Sequence, residues 1–250
     1  MQINTDGLIV LEKPMPENDK LVTILTRNYG IIRAFARGVK NVKNKNFSAT
    51  QQFCYSDFII FKGRDKYILN EATARESFWG LRCNIEELAL AQYFCDLILN
   101  LVAEGQRHTE DILRLCLNSL HYLAEKKLSG KLLKSVFEMR LLAISGYMPN
   151  LVTCAHCEGT GIRDFYFVPD ANGLICSECI GNYNFTKFKL TNSVLHALRH
   201  TVYSDFNKMF AFKLAAQSQV ELSAMTEAYL LRCLEKNLKT LDFYNKLVVN

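Results

Sequence analysis

The stretch "KLVTILTRNYGIIRAFARGVK", Lys20–Lys40, is built from short runs of β-branched and apolar residues broken at Gly30 and Gly38. Such runs read as strands separated by turns. In its second half the two-residue period of a strand puts Ile32, Ala34 and Ala36 on one face and Arg33, Phe35 and Arg37 on the other. One face packs; the other shows cation, aromatic, cation. Working outward, "GLIVLEK" (Gly7–Lys13), "QQFCYSDFIIF" (Gln51–Phe61) and "KYILNEAT" (Lys66–Thr73) have the same character, and Gly63 separates the last two. Five short strands with no helical pattern between them predict a small barrel or sandwich over residues 1–80.

The pattern changes near Trp79–Cys83. In "NIEELALAQYFCDLILNLVAEG", Asn84 and Glu87 form a capping arrangement and Gly105 a stop. "TEDILRLCLNSLHYLAEKK" starts at Thr109 with two acids in its first turn, which suits the helix dipole. "GKLLKSVFEMRLLAISGY" runs to Gly146, and no proline interrupts the chain between Pro16 and Pro149. Further helices are expected from about Thr191 to Tyr203 and from about Ser218 to the C-terminus. Residues 81–250 therefore read as a helical domain, interrupted at about 150–185 by a segment of another kind.

That segment is "CAHCEGTGIRDFYFVPDANGLICSEC", Cys154–Cys179. Its spacing, C-x2-C-x18-C-x2-C, falls in the range of zinc sites: each Cys-x-x-Cys turn presents two thiolates, and two turns complete a tetrahedron. Pro169, Asp170, Asn172 and Gly173 mark a hairpin between them. Cys154, Cys157, Cys176 and Cys179 are the expected ligands of one Zn2+, with His156 nearby but not needed. Four protein ligands leave no open position, so the ion is expected to fasten the insert and not to catalyse. A thioredoxin-like redox pair wants one Cys-x-x-Cys in a βαβ setting, which is absent. The other five cysteines lie in apolar patterns and read as small core residues.

Hydrophobic content of 49% and charged content of 22% are ordinary for a globular chain. No segment approaches the roughly 20 apolar residues of a membrane helix, and "MQINTDGLIVLEK" lacks the make-up of a signal peptide. This predicts a cytoplasmic chain, where thiols stay reduced and paired cysteines read as metal ligands. Net charge is +5, and between Lys20 and Ser56 there are seven basic residues and no acidic one. A one-sign field of this kind suits a polyanion, although it is also what a solvated basic loop looks like. Arg33, Phe35 and Arg37, followed by Lys40, Lys43 and Lys45, resemble the basic, aromatic-bearing grooves that track single strands; packing of Phe35 against a neighbour is the competing reading. Phosphate-binding, dinucleotide, metalloprotease and nucleophile-elbow motifs are all missing. His196 and His200 stand i, i+4 with no carboxylate at a suitable spacing, which reads as a helix-surface pair. No enzymatic turnover and no nucleotide cofactor are expected.

The order of these parts resembles the bacterial DNA repair protein RecO family. The resemblance rests on "LVTILTRNYGIIRAFARGVK", on "FEMRLLAISGYMPNLVTCAHC" and on "GLICSEC", and it spans nearly the full length. It implies an α+β multidomain fold: an N-terminal OB-fold barrel, then an α-helical domain carrying a four-cysteine zinc-ribbon insert. It implies binding of single- and double-stranded DNA, ATP-independent annealing, partnership with RecR in loading RecA, and binding of the acidic, apolar C-terminal tail of single-strand-binding protein. A nucleoid-associated, cytoplasmic location goes with that. Two segments depart from the family pattern, "PMPENDK" and "KTLDFYNK". For the tail, "GKLLKSVFEMRLL" offers Lys131, Lys134 and Arg140 beside an apolar stripe of Leu133, Phe137 and Leu141; the competing reading is that the stripe is plain core and the lysines plain surface. A zinc-ribbon, OB-fold RNA-binding or translation-associated factor is the alternative that the same residues allow.

Overall fold

The computed structural model describes residues 1–160, 164–182 and 184–248. Residues 161–163 of the cysteine segment lie outside the described residues. The chain forms two compact units, Met1–Lys127 with Lys239–Asn250, and Leu128–Leu238.

In the first unit, β1 (Gln2–Pro14), β2 (Lys20–Thr26), β3 (Ile31–Ala36), β4 (Cys54–Lys62) and β5 (Tyr67–Ser77) form a closed barrel in the order β1-β2-β3-β5-β4. All neighbours are antiparallel except β3 and β5, which run parallel. Five strands closed in this way form an OB-like barrel. Ile32, Ala34 and Ala36 point inward as their alternation predicts and meet Ile9, Val22, Ile24, Phe58 and Ile60 in the core. The parallel pairing needs a crossover, which the loop after β3 and a short 3-10 turn at Ser48–Thr50 supply.

The strand-to-helix change falls at the 3-10 turn Trp79–Arg82, and α1 (Ile85–Leu101) and α2 (Glu110–Ala124) follow within the same unit. Asn84 caps α1 by accepting from the amides of Glu86 and Glu87. Thr109, at the head of α2, makes no cap bond; its hydroxyl donates to the Thr26 carbonyl at 2.8 Å and accepts from the Gly30 amide at 3.2 Å. This pegs the helix to the β2–β3 turn. Gly30 has φ +62, and a Cβ there would meet the Ala103 carbonyl oxygen at 2.7 Å, so the turn and the α1–α2 loop approach as closely as glycine permits.

The expectation of one helix from Ser218 onward is corrected. α5 (Ala216–Leu234) stops where Glu235 turns left-handed at φ 52, and α6 (Lys239–Val248) begins after it. α6 rejoins the first unit, where Thr240 donates to the Asp96 carboxylate at 2.6 Å on α1.

The second unit holds α3 (Gly130–Ile144), α4 (Asn192–Tyr203) and α5 around a four-stranded ribbon of β6 (Asn150–Cys154), β7 (Phe165–Val168), β8 (Gly173–Cys176) and β9 (Phe188–Lys189), in the order β6-β8-β7-β9. Ser129 caps α3 through the Leu132 amide, and Thr191 caps α4 through the Val194 amide. The β7–β8 hairpin turns through Pro169–Ala171 and a left-handed Asn172. A Cβ on the next residue, Gly173, would stand 2.4 Å from the Asn150 carbonyl oxygen, so glycine lets β6 lie against the hairpin. Phe167 meets the Tyr229 ring of α5 edge-on at 5.3 Å, which anchors the ribbon to its helices.

Candidate metal centre and nucleic-acid surface

The ribbon brings the four predicted cysteines to one point. The sulfurs of Cys154, Cys157, Cys176 and Cys179 all lie within 4.8 Å of one another. Four thiolates about 2.3 Å from a common ion stand about 3.8 Å apart; the Cys157 and Cys176 sulfurs are 3.8 Å apart. Burial opposes ionisation of Cys154, but the amides of Cys157, Cys176 and His156 outweigh it and bring the thiol down to about 6. Cys179 is pushed up to about 12, by burial and by its bonds to Cys176 and Cys157. Thiols this close cannot all ionise against one another without a cation between them. The donor set therefore fits a metal ion, held by both knuckles and closed on all four sides. His156 is exposed beside it.

The nucleic-acid candidates lie on β3 and the loop that follows. Arg33 and Arg37 are exposed and Phe35 is half-buried on the outward face. The loop is tied down by asparagines. Asn44 donates to the Arg37 carbonyl at 3.2 Å, and the buried Asn46 donates to the Asn70 carbonyl at 3.2 Å and accepts from the Ala72 amide at 3.0 Å. Three of the cations have partners within the chain. Arg33 pairs with Glu104 at 3.1 Å, Lys45 pairs with Glu71, and the half-buried Lys40 donates to the Met15 carbonyl. Arg37 and Lys43 have no ion pair among the described residues.

The β4–β5 loop extends this face, and sequence reasoning missed it. Lys66 stands 5.8 Å from the centre of the Phe35 ring, and Lys62 the same 5.8 Å from that of Tyr67. Arg64 is exposed between them. "KGRDK" carries three cations in five residues, a signal as good as the one read at Lys40–Lys45, but nothing in one dimension places it beside β3. The parallel β3–β5 pairing does so, setting Phe35 opposite Ile68. The barrel wall of β1 and β4 has a different character. There Asp6 holds Arg27 at 2.7 Å and accepts from the Tyr55 phenol, and Asp57 holds Arg75 at 2.6 Å. Burial works against ionisation of Asp6, but bonds from Arg27 and Tyr55 outweigh it and hold its carboxyl below the ordinary value.

The expected exposed slot on α3 is corrected. Leu133, Phe137 and Leu141 are fully buried, as is Lys134, whose ammonium pairs with Glu138 at 2.9 Å and Glu227 at 2.8 Å. Burial would lower its pKa, but the two carboxylates outweigh that and hold the charged form. Thr226 donates to Glu138 at 2.6 Å and completes the network. Arg140 stacks on Phe206 at 4.6 Å and donates to the Thr201 and Val202 carbonyls, which pins the end of α4. Of the basic edge only Lys131 faces solvent freely. The physical reason is that α3 packs against both α4 and α5, so its charged positions need internal counterions. His196 and His200 line a cleft of about 620 Å³ with Arg199, Tyr203, Phe212 and Lys213, and among the described residues no carboxylate lines it.

The family description "Recombination protein O N terminal" matches residues 1–78, and "Recombination protein O C terminal" matches residues 82–242. The chain is 33% identical to "DNA repair protein RecO" of Acetivibrio thermocellus, over 98% of this chain and 97% of that one. It is 27% identical to the protein of that name from Alkaliphilus metalliredigens, over 99% and 100% of the two chains. For the protein of that name from Symbiobacterium thermophilum the figures are 29%, over 98% and 97%.

Proposed function

The chain belongs to the RecO family of DNA repair proteins, and from that premise we propose that it is a DNA-binding recombination mediator. It binds single- and double-stranded DNA, anneals complementary strands without ATP and, with RecR, helps load RecA on strands coated by single-strand-binding protein. The observation that carries this reading is the outward β3 face. Arg33, Phe35 and Arg37 lie between two basic loops, Lys40–Lys45 and Lys62–Lys66, on a barrel whose inward face is fully packed. Cations follow a phosphate backbone and a ring offers a base a stacking plane, with little demand on sequence.

The metal is zinc, one ion, in a structural role. Four thiolates whose sulfurs lie within 4.8 Å of one another are a soft donor set, and a closed set supplies folding energy instead of a reactive site. The protein performs no turnover; binding and exchange of strands are its work, in the cytoplasm at the nucleoid. No helix among the described residues is long and apolar enough to cross a membrane. The acidic, apolar tail of single-strand-binding protein is a further partner, and with the α3 stripe buried its receptor lies on another surface.

The test is annealing of complementary strands, bare and coated with single-strand-binding protein, in the absence of ATP. Acceleration on the coated strands is expected. A preference for RNA with no acceleration of DNA annealing would replace this reading with that of an RNA-binding factor.

A further inference from the structure

We propose that Glu104 and Glu71 are built-in competitors of the nucleic-acid backbone, each occupying a cation of the β3 face that a phosphate must take from it. The inference rests on the nucleic-acid reading above and deepens it.

The carboxylate of Glu104 sits 3.1 Å from Arg33, and its position is set by backbone. Glu104 bridges to Gly30 and Ile31, the Ile31 amide reaches the Ala103 carbonyl at 3.5 Å, and the Ala103 amide donates to the Gln106 side chain at 3.1 Å. The close approach at Gly30 fixes the same loop from the other side. A carboxylate on a loose surface loop would visit Arg33 at random; this one is delivered to it. Glu71 reaches Lys45 from β5, where it pairs in register with Ile59, while Asn46 pins the Lys45 loop to the same strand. Glu71 also borders a groove lined by Asp6 and Asp57, so it stands where the acidic wall of the barrel meets the basic loop.

Both pairs are more than half exposed, with side-chain exposures of 58% and 59% for Arg33–Glu104 and 69% and 53% for Lys45–Glu71. Exposed pairs are weak and yield to competition. A single free anion gains little by displacing one. A polymer that engages Arg37, Lys43 and the β4–β5 loop at the same time can displace both, because its phosphates arrive at high effective concentration. The two carboxylates thus favour a long polyanion over isolated phosphates, and they moderate affinity.

The experiment is binding of a deoxythymidine oligonucleotide, followed by fluorescence anisotropy over a series of salt concentrations. Glu104→Gln and Glu71→Gln should each tighten binding about two- to fivefold, the range that an exposed pair can contribute. Each should also steepen the salt dependence by up to about 0.7 in the log–log slope, one released cation's worth on a single strand. Glu125→Gln, the same charge change at the exposed end of α2, supplies the general electrostatic effect to be subtracted. In an Arg33→Gln background the gain from Glu104→Gln should vanish, which a long-range charge effect would not produce. The inference is overturned if the gain matches that of Glu125→Gln or survives without Arg33. Wild-type protein that fails to bind the oligonucleotide would strike the nucleic-acid reading itself; wild-type binding with no specific gain strikes only the competitors.

Discussion

In the barrel, strands of 6 to 13 residues close on one another and bury Ile9, Ile24, Phe58 and Ile60 between them. In the ribbon the strands have 2 to 5 residues; β6 and β8 end in Cys154 and Cys176, and Cys157, in the turn after β6, is exposed. The barrel is held by its own apolar interior, so its outward side chains are free to serve a partner. The ribbon packs at one end, through Phe167 on Tyr229, and at the other end depends on whatever holds four sulfurs together. The same division applies to cations. Lys45 on the barrel pairs at the surface, whereas Lys134 in α3 is enclosed by Glu138 and Glu227 and serves only its own unit. A self-supporting sheet can carry a binding surface; a sheet that closes on four thiols is suited to be a fastening.

Removing a sulfur from each sheet should show the difference at its largest. Cys176→Ala should abolish binding of the ion, whose structural binding energy is roughly 10–16 kcal/mol in small peptides, and should cost several kcal/mol of stability. Cys54→Ala, a buried cysteine of the barrel, should cost about 1 kcal/mol, the loss of one small buried group. Metal analysis with urea unfolding gives both values, and equal losses would erase the contrast.

The two kinds of lysine give the next effect. Lys134→Met leaves Glu138 buried without its cation and should destabilise by about 3–5 kcal/mol, with partial recovery on adding Glu138→Gln. Lys131→Met, one turn away and exposed, should stay within about 0.5 kcal/mol. Similar unfolding curves for the two variants would mean that Lys134 is not enclosed.

On the barrel face, Phe35→Ala should weaken single-strand binding by about 1–3 kcal/mol if a base stacks on the ring. An affinity change no larger than that of a neighbouring exposed residue would make Phe35 a packing residue. The smallest effect concerns the opposite wall. The native carboxyl of Asp6 lies below its ordinary 3.8, so it stabilises the fold above the unfolded value, and that contribution is lost as pH falls through the native one. Asp6→Asn should therefore cost about 1 kcal/mol near neutrality, discounted because Arg27 is partly exposed, and the cost should disappear in acid. Stability curves of variant and wild type that stay parallel down to low pH would show that Asp6 makes no such contribution.

Much of this arrangement is legible in the amino-acid sequence. The alternation Ile32–Arg33–Ala34–Phe35–Ala36 sorts inward from outward residues because a strand has only two faces. The cysteine spacing announces its cluster because two Cys-x-x-Cys turns at this separation can present four thiols to one point. Helix starts at Asn84 and Thr191 follow from local chemistry. What escaped depends on contacts distant in sequence. Periodicity sets Lys134 beside the stripe of Leu133, Phe137 and Leu141 as an edge residue, but a helix packed on two neighbours buries edge and stripe alike. The break at Glu235 has no glycine or proline to mark it, so a left-handed residue and the return of α6 to α1 were invisible. The nearness of Lys66 to Phe35 comes from barrel closure, which strand propensity does not encode.

The central claim is that the β3 face, with the loops on either side, tracks a phosphate backbone while the metal ribbon only fastens the other unit. The salt dependence of single-strand binding measures this most directly, for wild type and for an Arg37→Gln, Lys43→Gln, Lys66→Gln variant. If the three cations each meet a phosphate, the log–log slope should fall in magnitude by about 2, roughly 0.7 per lost contact. An unchanged slope in that variant would contradict the account and place the DNA elsewhere on the molecule.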